Sequence, residues 1–337
     1  IVSKINNDPE PTSVKQIERE LWHKVRKIAI SGRRTGLGIT GLGDALAMLG
    51  IQYGSEESID ATEKIYKMLA VNSYSSSIVL AKERGAFPIF DYEKEKGHEF
   101  LSQIIKELHP HEIDDYKKYG RRNIANTTTA PAGSVSALTQ TTSGIEPAFM
   151  LYYKRRKKVV GDEKVMFVDD LGDKWTEFMV FHHGFKQWMD STDPDCEWSE
   201  DHISEAVSHS PYSKATANDI NWVNKVKMQS VAQKWVCHAI SNTTNLPADV
   251  SIETVKDVYM TGWKSGCKGV TVYRDGSRSG VLVSNDKKEE NVEQFVDQHA
   301  PKRPDVLECD IHQVNIKGEG WTILVGLLED RPYEIMG

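Results

Sequence analysis

The sequence predicts an α/β fold: a barrel or sheet of strands wrapped by helices, with polar residues at the carboxyl ends of the strands. Three observations lead there. A helical pattern from Ser251 to Lys264 stops at Gly266 and runs directly into the strand pattern Gly269-Val-Thr-Val-Tyr273, with the polar turn Arg274-Asp-Gly-Ser-Arg278 at its tip. A short strand pattern, Leu37 to Thr40, likewise feeds a helix. With 39% hydrophobic and 27% charged residues, the 337-residue chain has the composition of a globular protein of one large domain or two ordinary ones.

The same composition sets other classes aside. A net charge of −7 argues against a nucleic-acid or acidic-membrane surface. No apolar run approaches the roughly 20 residues of a membrane span. The start, Ile1-Val-Ser-Lys-Ile-Asn-Asn-Asp, is not a signal peptide, and it lacks Met, so the chain is expected to be cut from something longer. Cys196, Cys237, Cys267 and Cys309 lie far apart, with no Cys-x-x-Cys pair and no Cys/His ligand spacing. They read as buried small residues in a reducing compartment, so no metal site and a cytoplasmic location are expected.

Element by element, Thr12 to Ile30 reads as a helix with Val14, Ile17, Leu21, Val25 and Ile28 on its inward face. Gly36-x-Gly38-x-x-Gly41 then matches a dinucleotide fingerprint in form. Arg33 and Arg34 interrupt the strand that should precede it, and no βαβ unit follows. We prefer a packing role: a strand from Leu37 to Thr40, then a helix with Leu42, Ala45, Leu46 and Leu49 inward, the glycines allowing close strand–helix approach. Ser55 is the expected cap of a long helix with Ile65, Met68 and Leu69 buried, a Glu63/Lys67 pair on its surface and Gly85 as its stop. Another helix carries Phe100, Leu101, Ile104, Ile105 and Leu108.

Residues 126–147 form the densest concentration of hydroxyls in the chain, from Thr127 to Ser143. Pro131 and Gly133 force a turn, and Ser134 or Ser136 is the expected cap of a short helix through Ala137 and Leu138. A small-residue turn feeding a helix start offers bare N–H groups to an anion. No Lys stands in the loop, so it is not the phosphate loop of nucleotide triphosphatases. A plain polar surface loop remains the alternative on pattern alone.

Residues 148–153 are strand-like, and Lys154-Arg-Arg-Lys-Lys158 reads as a solvated strand end or hairpin. Residues 173–187 suggest a helix with Trp175, Phe178 and Met179 on one face and His182-His183 at its end. No carboxylate or Cys partner that would make that His pair a metal site is evident. Asn218 is the expected cap of a helix to about His238, and Asn245-Leu-Pro247 breaks the chain. Ser251 caps the next helix, with Ile252, Val255, Val258, Tyr259 and Trp263 inward, and the strand 269–273 reads as buried. Residues 283–305 shift to a linker composition. Beyond them Ile311 to Ile316 alternates, Glu319-Gly320 resembles a hairpin tip, and Trp321 to Leu327 is a second strand, too few for a stable unit.

Five segments in order resemble the carboxyl-terminal part of ribonucleotide reductases, most nearly the long adenosylcobalamin-dependent (class II) type. They are residues 33–50, Glu83-Arg-Gly-Ala-Phe-Pro-Ile-Phe-Asp91, residues 130–147, Asn242-Thr-Thr-Asn-Leu-Pro-Ala-Asp249, and Gly266-Cys-Lys-Gly-Val-Thr-Val-Tyr-Arg-Asp-Gly-Ser-Arg278. The resemblance implies the second half of a ten-stranded α/β barrel in residues 1–282, a linker in 283–305, and the start of a small β-rich tail domain in 306–337.

It further implies that Ala130, Pro131, Ala132, Gly133, Ser134, Val135 and Ser136 bind the substrate phosphates. The family's loop there is usually Pro-Thr-Gly-Thr-Ile-Ser; Ala132 replaces its first Thr, removing one side-chain donor. Tyr273 becomes an active-site wall residue. The implied reaction replaces a ribose 2′-hydroxyl by hydrogen in a ribonucleoside diphosphate, with adenosylcobalamin as cofactor and a homodimer as the complete enzyme. The family's radical cysteine stands in an Asn-x-Cys-x-Glu loop, and none of the four cysteines here has that context. No catalytic residue is therefore assigned. Two readings follow: half of a reductase that works when joined to the missing amino-terminal half, which we favour, or a noncatalytic remnant that binds nucleotide or a partner.

Overall fold

Side-chain caps set several of the helix starts, at Ser55, Asp91, Ser199, Asn221 and Ser251 among them. The computed structural model describes residues 1–159, 165–168, 174–196, 198–277, 304–316, 319–328 and 331–336. It opens with α1 (Val2–Asn7), α2 (Thr12–Gly32), α3 (Leu42–Met48) and the 29-residue α4 (Glu56–Arg84). Ser55 caps α4 by accepting from Ser58 N, and Gly85, at φ +77°, stops it. Then come α5 (Tyr92–Glu95), α6 (Glu99–Ile105), α7 (Pro110–Tyr119), with Pro110 at its first turn, and α8 (Gly133–Thr139). Strands β1 (Tyr152–Lys158), β2 (Phe167–Val168) and β3 (Lys174–Phe181) form an antiparallel sheet in the order β1-β3-β2. After α9 (His183–Thr192), α10 (Glu200–His209) and α11 (Trp222–Gln233), strand β4 (Thr243–Leu246) crosses through α12 (Ile252–Lys264) to the parallel β5 (Thr271–Arg274).

The extended segments at the centre of the first unit run parallel in chain order. Leu37 bridges Thr127, Thr129 bridges Ile240, and β4 pairs with β5, every step parallel. Helices fill the intervals, as parallel crossovers require. The main core lies under these segments, with Leu46, Tyr66, Ile145, Met228 and Ile240 in one cluster.

The chain divides into two compact units, Ile1–Asn285 and Asp286–Gly337. The second is an antiparallel sheet of β6 (Glu308–Ile316), β7 (Glu319–Leu328) and β8 (Arg331–Met336). Glu319 and Gly320 already pair with Ile316 and Asn315, so they start a strand and are not the hairpin tip. The third strand, β8, escaped the sequence reading because Arg331-Pro-Tyr-Glu does not alternate. The expected linker lies almost wholly outside the described residues.

Several sequence expectations change for physical reasons. The apolar stripe of α2 is exposed, with Ile17 at 69% and Ile28 at 71%. Leu49 is exposed beyond α3, whose inward residues are Leu42, Leu46 and Ala47. The buried face of α4 is Ser58, Thr62, Tyr66, Ala70, Tyr74 and Ile78, while Met68 is exposed; a face built from small and hydroxylated residues is invisible to a search for apolar periodicity. Glu63 and Lys67 do not pair with each other, but reach Lys234 (3.3 Å) and Glu107 (2.8 Å). The basic run lies inside β1, which starts at Tyr152 and not at Ala148.

The helix expected over 173–187 is instead β3 followed by α9. Trp175, Thr176, Phe178, Val180 and Phe181 suit a strand, and the ladder to β1 decides the matter. Asn221, not Asn218, caps α11, which ends at Gln233, short of His238. The supposed break at Asn245-Leu-Pro247 contains the end of β4. On α12, Val258 is buried but Ile252, Tyr259 and Trp263 are exposed. β5 is half-exposed, not buried. Cys196, Cys237 and Cys267 are partly buried and Cys309 is exposed, so none is a core residue. Among the described residues, no helix is long and apolar enough to cross a membrane.

Candidate functional site

The central segment begins extended, with isolated parallel bridges at Thr127 and Thr129; the strand expected from Leu37 to Thr40 is likewise reduced to a bridge at Leu37. Thr128 N donates to Leu37 O on one side (2.9 Å), and Ser241 N donates to Thr129 O on the other (2.9 Å). Thr127 and Thr129 point to the helix layer, where Thr127 Oγ1 donates to Trp235 O and Thr129 meets the Tyr66 hydroxyl at 2.9 Å. The chain leaves the sheet at Ala130, turns at Pro131 with Gly133 N donating to Pro131 O (2.9 Å), and enters α8.

Ala132, not Ser134 or Ser136, is the N-cap of α8, and it gives no side-chain cap. Both serines lie within the helix. Ser134 is exposed, while Ser136 is buried and donates its hydroxyl to Gly133 O (2.9 Å). Ala130, Pro131, Gly133 and Val135 are exposed and Ala132 is half-buried. The first turn of a helix has no intrahelical partners for its N–H groups. A turn at the carboxyl end of a parallel strand thus presents uncapped donors with little side-chain bulk around them. Such a surface suits an anion.

The return limb, 141–147, is clamped by the start of α3. Gly41 N donates to Thr142 O (2.8 Å), Thr40 Oγ1 donates to the same oxygen (3.0 Å), and Leu42 N donates to Gly144 O (3.3 Å). Asp44 is the centre of this clamp. Its Oδ2 accepts from Thr142 N (2.7 Å), and its Oδ1 accepts from Tyr212 Oη (2.8 Å) and contacts His182 Nε2 (2.6 Å). Burial pushes the carboxyl up, but the His182, Thr142 and Tyr212 bonds outweigh it and hold Asp44 below its ordinary value. His182 of the histidine pair thus contacts a carboxylate 138 positions away in the chain. An Asp inside the apolar Leu42-Gly-Asp-Ala-Leu46 was the signal available in the sequence. No cluster of three metal-ligating side chains occurs among the described residues.

Tyr273 lies on β5, half-buried, opposite Asn245 of β4. Cys237 is at the other end of the strands. Burial raises its thiol, but Thr127 Oγ1, the Thr127 and Asn126 N–H groups and the Tyr74 hydroxyl bring it below the ordinary value.

The Gly36-x-Gly38-x-x-Gly41 motif is part of this packing. A Cβ on Gly36 or Gly38 would lie under 3.0 Å from Thr128, and one on Gly43 would lie 3.1 Å from Glu146 O and Pro147 Cα. The glycines let the first strand and α3 approach the central segment, which is the packing role expected for them.

A family model described as ribonucleotide reductase, barrel domain, matches residues 13–273. The vitamin B12-dependent ribonucleoside-diphosphate reductase of Mycobacterium tuberculosis is 30% identical over 282 residues, covering 80% of this chain and 35% of that protein. The enzyme of the same name from Thermoplasma acidophilum is 28% identical over 262 residues, covering 77% and 31%. The chain thus spans about a third of the length of these relatives. Among solved structures, the Actinobacillus ureae class Id ribonucleotide reductase alpha subunit matches with a TM-score of 0.52 at 17% identity, over 82% of this chain and 44% of that one, a likeness of fold. The parallel strands, the glycine-packed central segment and the family match agree: the chain belongs to the ribonucleotide reductase barrel-domain family.

Proposed function

We propose that this chain supplies the second half of a ten-stranded reductase barrel, in residues 1–282, together with the loop that binds the phosphates of a ribonucleoside diphosphate. Residues 283–305 are then a linker and 306–337 the start of a tail domain. The observation that carries the reading is the turn from Ala130 to Ser136, which places the uncapped start of α8 at the carboxyl end of a parallel strand. The reaction is ribonucleotide reduction in the cytoplasm, in a homodimer of the complete enzyme. These 337 residues contain no Asn-x-Cys-x-Glu sequence. Catalysis therefore needs a partner half that carries it.

The residues present fit adenosylcobalamin as the radical source to this extent: Tyr273 is followed by Arg274 and faces Asn245, so β5 offers no tyrosine pair to relay a radical from another subunit. When bound, the cofactor supplies the radical; this chain's own part is to hold the diphosphate and form the wall at Tyr273. Co-expression with an amino-terminal half carrying Asn-x-Cys-x-Glu is expected to give deoxynucleotide from nucleoside diphosphate, dithiol and adenosylcobalamin, while the chain alone gives none. Turnover without cobalamin, driven by a diiron or dimanganese protein, overturns the cofactor assignment. The missing radical loop also favours a second reading, a noncatalytic nucleotide-binding or partner-binding chain, which an inactive but nucleotide-binding complex supports.

The phosphate loop is testable by itself. A Cβ on Gly133 meets nothing within 4 Å, so Gly133→Val leaves the packing intact while covering the N–H groups. Nucleotide affinity is expected to fall sharply. Ser134→Ala is expected to cost about 1.5–3 kcal/mol if its hydroxyl meets a phosphate oxygen, the scale of a hydrogen bond to a charged group. Unchanged affinity in both variants removes the assignment.

A further inference from the structure

One helix of the first unit carries its apolar side in water. Every residue of α2 from Leu21 to Ile30 is exposed, and Ile17, Leu21, Val25 and Ile28 are between 43% and 71% exposed. The side of α2 turned towards the unit is mainly polar: His23, Arg26, Lys27, Ile30 and Ser31 line an open cavity of about 390 Å³ with Pro88. The stripe recurs at three- and four-residue steps, as the packed face of a helix does. A helix in a protein draws most of its stability from packing such a face, not from propensity. The uncovered stripe of this 21-residue helix therefore calls for a cover.

A second open feature follows it in the chain. Leu37 N donates to Asn126 O (2.7 Å), and Leu37 O accepts from Thr128 N (2.9 Å), so both main-chain groups of Leu37 serve one neighbour. In an extended chain the groups of Gly36 and Gly38 then point to the opposite edge. Among the described residues neither glycine makes a main-chain hydrogen bond, and both are exposed. Leu37 is itself 49% exposed. The expected strand 37–40 is reduced to a bridge because it has one neighbour where an inner strand has two. An unpaired edge of this kind is a template for another strand.

The order of the segments says which strand belongs there. Leu37 pairs with Thr127, Thr129 with Ile240, and β4 with β5, each parallel and each beside the segment before it in the chain. A helix that runs into such a segment is the crossover from a parallel neighbour. Thr127 holds one edge of Leu37, so the strand that precedes α2 in this order belongs at the other. The family barrel model begins to match at residue 13, in the first turn of α2, so the helix is part of the shared domain and not an appendage. We propose that the α2 stripe and the Gly36–Gly38 edge form one docking surface for the preceding part of a reductase barrel. A parallel strand of that part pairs with the edge, and apolar side chains beside the strand cover Ile17, Leu21, Val25 and Ile28. The inference rests on the half-barrel reading of residues 1–282 and names the surface at which the halves join. A second copy of this chain fits less well. Paired through α2 alone, it would cover a face about 30 Å long and about 10 Å wide, below the roughly 800 Å² per partner of a stable interface.

The test co-expresses all 337 residues with the part of the Mycobacterium tuberculosis reductase that precedes its match to this chain. Sedimentation is expected to give a one-to-one complex, in which hydrogen exchange over residues 33–40 is slower than in the chain alone. Ile17→Glu and Ile28→Glu change exposed positions, so both chains should fold as wild type by circular dichroism. Each is expected to weaken the complex roughly thirtyfold, the scale of one hot-spot residue. Met68→Glu, at an exposed position of α4, is the control and should bind as wild type. A complex that forms with unchanged exchange over 33–40, and that neither α2 variant weakens, overturns the docking surface and leaves the half-barrel reading standing. No complex at all removes both. A wild-type chain that sediments alone as a dimer, and as a monomer with Ile17→Glu, gives the stripe to a second copy and overturns the proposal.

Discussion

Replacing Gly38 by Ala is expected to destabilise the first unit by roughly 3 kcal/mol or more, the upper range for forcing a methyl group into close packing. The added Cβ would sit under 3.0 Å from the Thr128 carbonyl oxygen. That oxygen is main chain within the parallel ladder, so relief requires moving the strand and not a side chain. Thr128 N is itself fixed by Leu37 O at 2.9 Å, and Thr129 O by Ser241 N at 2.9 Å. The strand cannot shift without loosening bonds on both flanks. Gly269→Ala is the control. Its Cβ meets nothing within 4 Å, and a shift within about 0.5 kcal/mol is expected there. Urea unfolding of the three proteins decides the matter. Equal midpoints for Gly38→Ala and wild type would remove the packing account of the glycine motif.

What could be read from the sequence follows the physics that each element obeys. Helices with side-chain caps were plain: Ser55 and Ser251 both cap where their spacing suggested. The first parallel strands were harder, because they bridge through single residues such as Leu37 and Thr129 and carry small polar side chains. Residues 174–181 read as helix from the spacing of Trp175, Phe178 and Met179, and pairing with β1 makes them a strand. The phosphate turn could be placed from Pro131 and Gly133, but not its cap, since the turn puts Ala132 at the boundary and carries both serines into α8. Asp44, His182 and Tyr212 meet from three distant parts of the chain, so no local pattern announces them. Lys225 of α11 is buried as well, which its place on a helix does not announce.

Asp44 should be the most costly polar residue to remove. Asp44→Ala is expected to lose about 3–5 kcal/mol, the range for deleting one member of a buried charged network. Its carboxylate accepts from Thr142 N and Tyr212 Oη, both buried, and contacts His182 Nε2. Alanine leaves those groups without a partner, and each buried unsatisfied donor carries its own penalty. The loss also reaches the proposed phosphate turn, because the Thr142 end of that segment is held by Asp44 together with Thr40 and Gly41. The pH dependence has a definite sign. Asp44 is held below its ordinary value of 3.8, so the carboxylate contributes stability above that value and loses it as pH falls through the folded one. Asp44→Asn cannot titrate, and its stability curve should be flatter than wild type below about pH 4. Unfolding midpoints measured from neutral to acid pH compare the three proteins. If Asp44→Ala unfolds within about 1 kcal/mol of wild type, the network is ornamental and the return limb is held by main-chain bonds alone.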